Sequence, residues 1–277
     1  MKTVRLPSGE QVPALGMGTW MIGEKRSARA EEIATLQRGI DLGMTLIDTA
    51  EMYGEGASEQ LVGEAIRGRR ERVFLVSKVY PHHASRTGTA AACERSLKRL
   101  GVDCLDLYLL HWRGGVPLSE TVEAFERLQA QGKIRHWGVS NLDSPDMKEL
   151  VEQPGGERVA VNQVLYNLSR RGVEWDLLPW CSGRRIPLMA YSPIEQARLL
   201  SHSGLRALAA RHGATPAQLA LAWLLRGEQL IVIPKASTRA HLDENYAALE
   251  CPLDDATLAE LDRLFPAPRR ATPLEML

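Results

Sequence analysis

The sequence predicts an α/β fold, a closed (β/α)8 TIM barrel with an N-terminal β-hairpin and an extra C-terminal helix. Eight compact apolar runs follow one another, segments of helical period lie between them, and no linker or repeat interrupts the series. Strands covered on both faces are continuously apolar, and eight of them alternating with helices are typical of a barrel. The runs lie at residues 15–20, 45–48, 73–78, 105–110, 134–139, 159–164, 187–190 and 230–233.

The elements outside the eight repeats lie at the two ends of the chain. Extended runs at residues 3–6 and 11–15 flank the turn sequence Pro7-Ser8-Gly9-Glu10, which predicts a hairpin covering the N-terminal end of the barrel. Apolar residues at helical spacing over 254–264 predict the extra helix, followed by an irregular tail. We therefore expect one domain over residues 1–277.

Start and stop signals mark several helices between the strands. Ile33, Leu36 and Ile40 share one helical face and precede Gly43, a residue typical of helix C-termini. Ser144 followed by proline marks one helix start, and Thr215-Pro216-Ala217-Gln218 has the spacing of a capping box. These signals place helices where barrel crossovers require them.

Composition excludes several classes of function. The 277 residues are 44% hydrophobic and 25% charged, with 34 basic and 34 acidic side chains, so no basic excess is present to bind nucleic acid or a membrane surface. No apolar run reaches the length of a membrane span, and no signal-peptide core is apparent, so we expect a cytoplasmic protein. The four cysteines form no C-x-x-C pair, and no metal site is predicted.

Three consecutive strands each end in an ionisable residue. Asp48 ends the second, Lys78 the third, and His111 follows the fourth, while Tyr53 lies five residues beyond Asp48. Taken singly, each has a structural explanation: a loop cap, an edge lysine, a core histidine, a packing tyrosine. Together they would meet at the C-terminal rim, where barrel functions concentrate, and a buried lysine there requires an anion such as Asp48.

This set of side chains suits proton delivery to an oxygen that gains negative charge. Tyr53 would be the general acid, with Lys78 lowering the pKa of its phenol. Asp48 would fix Lys78, and His111 would donate a hydrogen bond that positions a substrate carbonyl. No member of the set is a good electron donor, so reduction of a carbonyl requires hydride from a cofactor.

Over essentially its whole length the sequence resembles the aldo-keto reductase family, most of all the bacterial members that include methylglyoxal reductases. The motifs that carry the resemblance are Gly16-Met17-Gly18-Thr19-Trp20, Asp48-Thr49-Ala50-Glu51-Met52-Tyr53-Gly54, Lys78, Leu109-Leu110-His111-Trp112, Gly138-Val139-Ser140-Asn141, Asn162-Gln163, Ala190-Tyr191-Ser192-Pro193 and Ile233-Pro234-Lys235. The resemblance implies a catalytic tetrad of Asp48, Tyr53, Lys78 and His111.

The resemblance also implies an NADPH cofactor lying across the barrel rim. Ser140, Asn141 and Gln163 would hold the nicotinamide carboxamide, Tyr191 would stack on the ring, and Lys235 would meet the 2′-phosphate. The full set implied to bind the cofactor is Gly18, Thr19, Trp20, Asp48, Ser140, Asn141, Gln163, Tyr191, Ser192, Pro193, Lys235, Ala236, Ser237, His241, Glu244 and Asn245.

The sequence departs from the family pattern near the phosphate end. Ala236 replaces a frequent serine, and His241 stands where an arginine is expected. Arg239 either supplies the missing cation or is simply solvated. A Rossmann phosphate turn is not supported, because Met21 occupies the position of the third glycine.

An apolar, partly aromatic substrate pocket is expected near the tetrad. We expect it to be lined by Trp20, Met21, Met52, Tyr80, Trp112 and Arg113. Packing is the alternative for Met21 and Tyr80, and solvation is the alternative for Arg113. Short loops predict an open site for small aldehydes and dicarbonyls such as methylglyoxal.

Two other functions fit parts of the pattern. Lys78 at a strand end could form a Schiff base as in aldolases, and the barrel could bind the cofactor as a non-catalytic sensor or regulatory subunit. The aldolase hypothesis gives no reason for Tyr53 or Tyr191, and an intact tetrad disfavours the sensor. A monomer is expected.

Overall fold

The computed structural model describes residues 1–277, and its centre is a sheet of eight parallel strands in chain order. Isolated bridges from Leu15 to Val232 and from Gly18 to Lys235 join the first strand of this sheet to the last, so the sheet closes into a barrel. A Cβ at Gly18 would lie 2.8 Å from the Ile233 carbonyl oxygen, so this approach needs glycine. The strands are β1 (Thr3–Arg5), β2 (Gln11–Pro13), β3 (Met17–Gly18), β4 (Leu46–Asp48), β5 (Phe74–Val79), β6 (Leu105–Leu110), β7 (Ile134–Ser140), β8 (Asn162–Leu165), β9 (Leu188–Tyr191) and β10 (Leu230–Val232).

Helices connect the strands and cover the outside of the barrel. They are α1 (Arg29–Leu42), α2 (Ala57–Ala65), α3 (Arg86–Leu100), α4 (Leu118–Ala130), α5 (Ser144–Glu152), α6 (Leu177–Gly183), α7 (Ser203–Arg211), α8 (Pro216–Leu225), α9 (Arg239–Ala247) and α10 (Asp255–Leu264). The fold class predicted from the sequence is confirmed, including the final helix.

The predicted helix signals hold with one shift in detail. Gly43 ends α1 with φ 92°, and Thr215 forms the capping box of α8 with Gln218. The α5 helix begins at the predicted Ser144, but its cap is the preceding residue, because the Asp143 side chain accepts a hydrogen bond from the Asp146 amide. The chain therefore enters these helices as the sequence indicates.

The β1–β2 hairpin lies at the N-terminal end of the barrel. Val4 and Val12 are buried on its inner face, and the Glu10 carboxylate pairs with Arg135 and His136 near the start of β7. The opposite, C-terminal end remains open, so it is the end where strand-terminal side chains can meet a ligand.

One contiguous core of 73 buried residues supports the rim. The cysteines are free, and burial raises the pKa of the Cys93 and Cys181 thiols to about 12. No group of three or more His, Cys, Asp or Glu side chains is arranged to hold a metal ion. None of the helices combines the length and apolar character that crossing a bilayer would require.

Candidate active site

A cavity of about 770 Å³ opens at the C-terminal end of the barrel. It combines a mostly apolar wall with a few convergent polar groups, which is typical of sites for small molecules. Of the predicted site residues, those lining it are Gly18, Thr19, Trp20, Met21, Asp48, Met52, Tyr53, His111, Trp112, Ser140, Asn141, Gln163, Tyr191, Ser192, Pro193, Lys235, Ser237, His241, Glu244 and Asn245.

Lys78 is at the centre of a buried hydrogen-bond cluster beneath this cavity. Its Nζ lies 2.8 Å from Asp48 Oδ2 and 3.0 Å from Tyr53 Oη, and it also donates to the Thr49 carbonyl oxygen at 2.9 Å. An ammonium group has three N–H donors, so all three are used. The cluster forms because β4 and β5 are paired in parallel, which brings the carboxyl ends of these strands to the same rim.

Burial and charge act in opposite directions on the acid–base groups of this cluster. Burial raises the pKa of the Tyr53 phenol, the Lys78 ammonium lowers it, and the net result lies above the ordinary value. The predicted lowering by Lys78 is therefore present but outweighed by burial. Burial lowers the pKa of Lys78, but Asp48 and Tyr53 together raise it by more, so its pKa lies above the ordinary value and the ammonium stays charged. At neutral pH the cluster consists of a protonated phenol and a charged lysine.

His111 completes the wall next to the phenol. Its ring lies 5.8 Å from the Tyr53 ring, centroid to centroid, in an edge arrangement. Burial, reinforced by the Lys78 charge, lowers the pKa of His111 well below its ordinary value, so the imidazole is neutral. A neutral imidazole has one N–H donor, which suits a hydrogen bond to a carbonyl oxygen.

A second set of polar groups gathers at the ends of β7, β8 and β9. Asn141 adopts left-handed backbone geometry with φ 57°, and its side-chain amide donates to the His111 carbonyl oxygen and to Ser140 Oγ. Tyr191 Oη donates to Asn141 Oδ1 at 3.0 Å. Gln163 Nε2 donates to Asp48 Oδ1 at 2.8 Å, which connects this set to the buried lysine cluster. These fixed amides and the Tyr191 ring could hold and orient a planar amide-bearing ring.

The far end of the cavity carries a cation without an acidic partner. Lys235 lines the cavity and forms no ion pair with Glu244, which lines it too, and Ser237 and His241 lie there with it. Arg239 does not line the cavity, because its guanidinium is held by Glu31 through Nε and Nη2. Ala236 is buried and also lies outside the lining. Of the two alternatives for Arg239, the structure favours the solvated one, because the side chain is largely exposed and pairs with Glu31 outside the cavity.

Two of the expected substrate residues do not reach the cavity. Tyr80 packs its ring edge-on against Trp112, with centroids 5.9 Å apart, and so supports the wall from behind. Arg113 points to α5, where Asp146 and Glu149 accept its hydrogen bonds at 2.5–2.8 Å. The expectation that Arg113 faces the substrate is corrected: two carboxylates on the neighbouring helix hold the guanidinium away from the pocket.

Eight residues of the lining were not predicted from the sequence. Most of the missed residues lie in the loop after β9 and at the chain end, where no helical or strand period marks them, whereas Ala217 lies in the first turn of α8 and Ile233 directly follows β10. The missed residues are Ile194, Gln196, Ala197, Leu200, Ala217, Ile233, Met276 and Leu277.

Comparison with known proteins assigns the family. The model of the Aldo/keto reductase family matches residues 14–265. Methylglyoxal reductase YeaE of Escherichia coli (strain K12) is 52% identical to the chain, with 100% of this chain and 99% of that protein covered. Glyoxal reductase of Bacillus subtilis (strain 168) is 33% identical, with 95% and 92% covered.

A solved structure supports the same assignment. The aldo-keto reductase of Klebsiella pneumoniae in complex with NADPH is 54% identical, with a TM-score of 0.97 and coverage of 100% of this chain and 99% of that one. The fold and the sequence therefore both match this family over almost the whole chain. The chain belongs to the aldo/keto reductase family and is an oxidoreductase.

Proposed function

We propose that this protein reduces aldehydes and ketones to alcohols with NADPH, and that its preferred substrates are small aldehydes and dicarbonyls such as methylglyoxal. The observation that carries the proposal is the cluster in which Lys78 Nζ contacts both Asp48 and Tyr53 at 2.8 and 3.0 Å beneath the cavity. The similarity to methylglyoxal and glyoxal reductases supports the substrate class.

In the proposed mechanism, NADPH supplies the hydride when bound. Tyr53 holds the proton that the substrate oxygen receives, and Lys78 stabilises the phenolate that remains. Asp48 keeps Lys78 charged and in place, and neutral His111 donates a hydrogen bond to the carbonyl. Reduction then adds one hydride to carbon and one proton to oxygen.

The residues at the rim fit the proposed cofactor. Ser140, Asn141 and Gln163 offer hydroxyl and amide groups for a carboxamide, and Tyr191 offers a flat ring for stacking. Lys235, free of any carboxylate, would hold the 2′-phosphate with Ser237. We propose the remaining lining residues of the predicted cofactor set as further contacts.

The buried lysine argues against a Schiff-base aldolase. A nucleophilic amine must be neutral and reach the substrate, whereas Lys78 is fully buried, charged and committed to three acceptors. Sodium borohydride added with substrate should leave the protein unmodified. We also propose that the enzyme is cytoplasmic and monomeric and that it acts on free small molecules.

Cofactor consumption provides the direct test of the proposed function. NADPH and NADH oxidation would be followed separately with a panel of carbonyl compounds headed by methylglyoxal. We expect faster oxidation of NADPH than of NADH, with small dicarbonyls ahead of aldoses and larger ketones. NADPH binding without turnover on any carbonyl would instead favour the sensor alternative.

Replacing His111 with alanine should affect the substrate more than the cofactor. We expect a higher KM for methylglyoxal and a lower kcat, because the carbonyl loses a hydrogen-bond donor next to Tyr53. The Kd for NADPH, measured by tryptophan fluorescence, should stay within about twofold, because the cofactor contacts lie on other strands. An NADPH affinity that falls as much as kcat/KM would assign His111 to the cofactor instead.

Replacing Lys235 with methionine should weaken NADPH binding by about tenfold and leave NADH binding almost unchanged, because the charged contact to the 2′-phosphate is lost. Fluorescence titration with each cofactor measures both values. The Arg239→Met variant is the matched control, since its guanidinium is held by Glu31. Equal weakening of NADPH and NADH would contradict a phosphate role for Lys235.

A further inference from the structure

Two segments outside the α-helices and β-strands line part of the cavity. The first is the β9 loop, residues 192–201, from which Ile194, Gln196, Ala197 and Leu200 line the cavity. The second is the tail, residues 266–277, from which Met276 and Leu277 do so. The residues that hold these two segments in place take no part in the proposed proton transfer.

The β9 loop has a strained backbone. Glu195, Gln196 and Ala197 are three successive non-glycine residues in the left-handed region, with φ of 52°, 52° and 70°. Residues with side chains avoid this region, and they remain in it only when surrounding contacts hold them there. The conformation of this loop therefore depends on an anchor.

The Glu195 side chain is that anchor. It is buried, and its carboxylate accepts hydrogen bonds from Asn167 Nδ2 at 2.7 Å and from Arg198 Nη2 at 3.1 Å. Arg170 adds two more, from Nε at 3.0 Å and Nη2 at 2.9 Å. The Arg170 guanidinium thus binds the loop side-on with two of its nitrogens.

The tail is held by far fewer contacts. Its residues make no backbone–backbone hydrogen bond, and the one hydrogen bond made by a tail side chain joins Glu275 to Arg170 Nη1. A cavity of about 620 Å³ lies between the tail and the loop after β8, so the packing beneath it is open. The ion pair with Arg170 is consequently the one side-chain ion pair that ties the tail to the barrel, beside a hydrogen bond between the Leu277 backbone and Tyr191 Oη.

We propose that Arg170 is a positioning residue that couples the β9 loop to the tail, so that the two walls of the cavity are ordered together. Its third nitrogen, Nη1, contacts Glu275, while the other two contact Glu195. Each glutamate directly precedes a cavity-lining residue in the chain: Gln196 follows Glu195, and Met276 follows Glu275. A planar guanidinium joins two carboxylates in this way through donors fixed along two of its edges, and the compact ammonium of a lysine lacks this fixed fork. The coupling rests on the proposed function, because NADPH would occupy the cavity that both segments line.

The exposed Arg269 and Arg270 give a direct measure of tail order, because trypsin cuts after arginine in segments that open locally. The cleavage rate at these sites would be measured with and without saturating NADPH, with the cut located by mass spectrometry. We expect NADPH to slow cleavage of the unchanged protein about two- to fivefold, which is the factor that corresponds to the stabilisation by one partly exposed ion pair. In the Glu275→Gln variant, NADPH should bind but leave the cleavage rate almost unaltered.

The Arg198→Met variant is the matched control. Arg198 pairs with the same Glu195 oxygen as Arg170 but makes no contact with the tail, so NADPH should still slow cleavage in this variant. Arg170→Met should behave as Glu275→Gln does, and Arg170→Lys should not restore the protection fully.

Fluorescence titration separates this coupling from the proposed function. NADPH protection of the tail that is equal in Glu275→Gln and in the unchanged protein would overturn the coupling. So would an unchanged protein that binds NADPH without slower cleavage. An unchanged protein that binds no NADPH at all would overturn the proposed function, and the coupling with it.

As a kinetic counterpart, Glu275→Gln should raise KM for methylglyoxal about two- to fivefold with little change in kcat.

Discussion

The Tyr53→Phe variant should lose about 10²- to 10⁴-fold in kcat while binding NADPH with almost unchanged affinity. Phenylalanine keeps the ring that packs edge-on to His111 and removes only the oxygen that lies 3.0 Å from Lys78 Nζ. The carbonyl oxygen then has no proton donor of suitable strength. Steady-state NADPH oxidation with methylglyoxal gives kcat, and fluorescence quenching gives the cofactor Kd.

Tyr191→Phe is the control for the loss of a phenol from the same cavity. Tyr191 Oη donates to Asn141, and no contact joins it to Lys78. We expect this variant to change kcat by less than about tenfold, because its ring remains available for stacking. A Tyr53→Phe enzyme with undiminished kcat, or equal losses in both variants, would remove Tyr53 from the role of general acid.

The cluster at the rim was accessible from the sequence because strand order alone determines it. Parallel strands that follow one another in the chain and in the sheet end at the same rim, so Asp48 and Lys78 had to meet. The sign of the pKa shift at Tyr53 was not accessible. It depends on how completely the phenol is buried, and burial outweighs the neighbouring ammonium.

Irregular segments set the limit of the sequence-based prediction. Arg113 follows the strand that leads to His111 and was expected at the pocket, but α5 presents Asp146 and Glu149 to it. The position of the β9 loop depends on its left-handed residues, and that of the tail on the ion pair between Arg170 and Glu275. No periodicity in the sequence predicts the left-handed backbone or the ion pair. Long-range ion pairs between loops decide these positions, and their partners lie far apart in the chain.

Replacing Lys78 with methionine should remove activity and also destabilise the fold. Methionine keeps an unbranched stem of similar shape but has no terminal ammonium, so the Asp48 carboxylate, which is almost fully buried, is left without its cation. Breaking a buried ion pair by removing one partner costs about 3 kcal/mol or more. For a chain of this size that corresponds to a fall in Tm of about 5 to 10 °C, measurable by thermal unfolding.

Adding Asp48→Asn to Lys78→Met separates the two effects. The asparagine side chain carries no charge that needs a cation, and its oxygen can still accept the hydrogen bond from Gln163 Nε2. We therefore expect the double variant to unfold at a higher temperature than Lys78→Met alone while remaining inactive, because Tyr53 still lacks its ammonium neighbour. If the double variant is no more stable than the single one, the uncompensated Asp48 charge is not the cause of the instability. If Lys78→Met retains both its stability and its kcat, the buried cluster neither stabilises the fold nor supports the proton transfer.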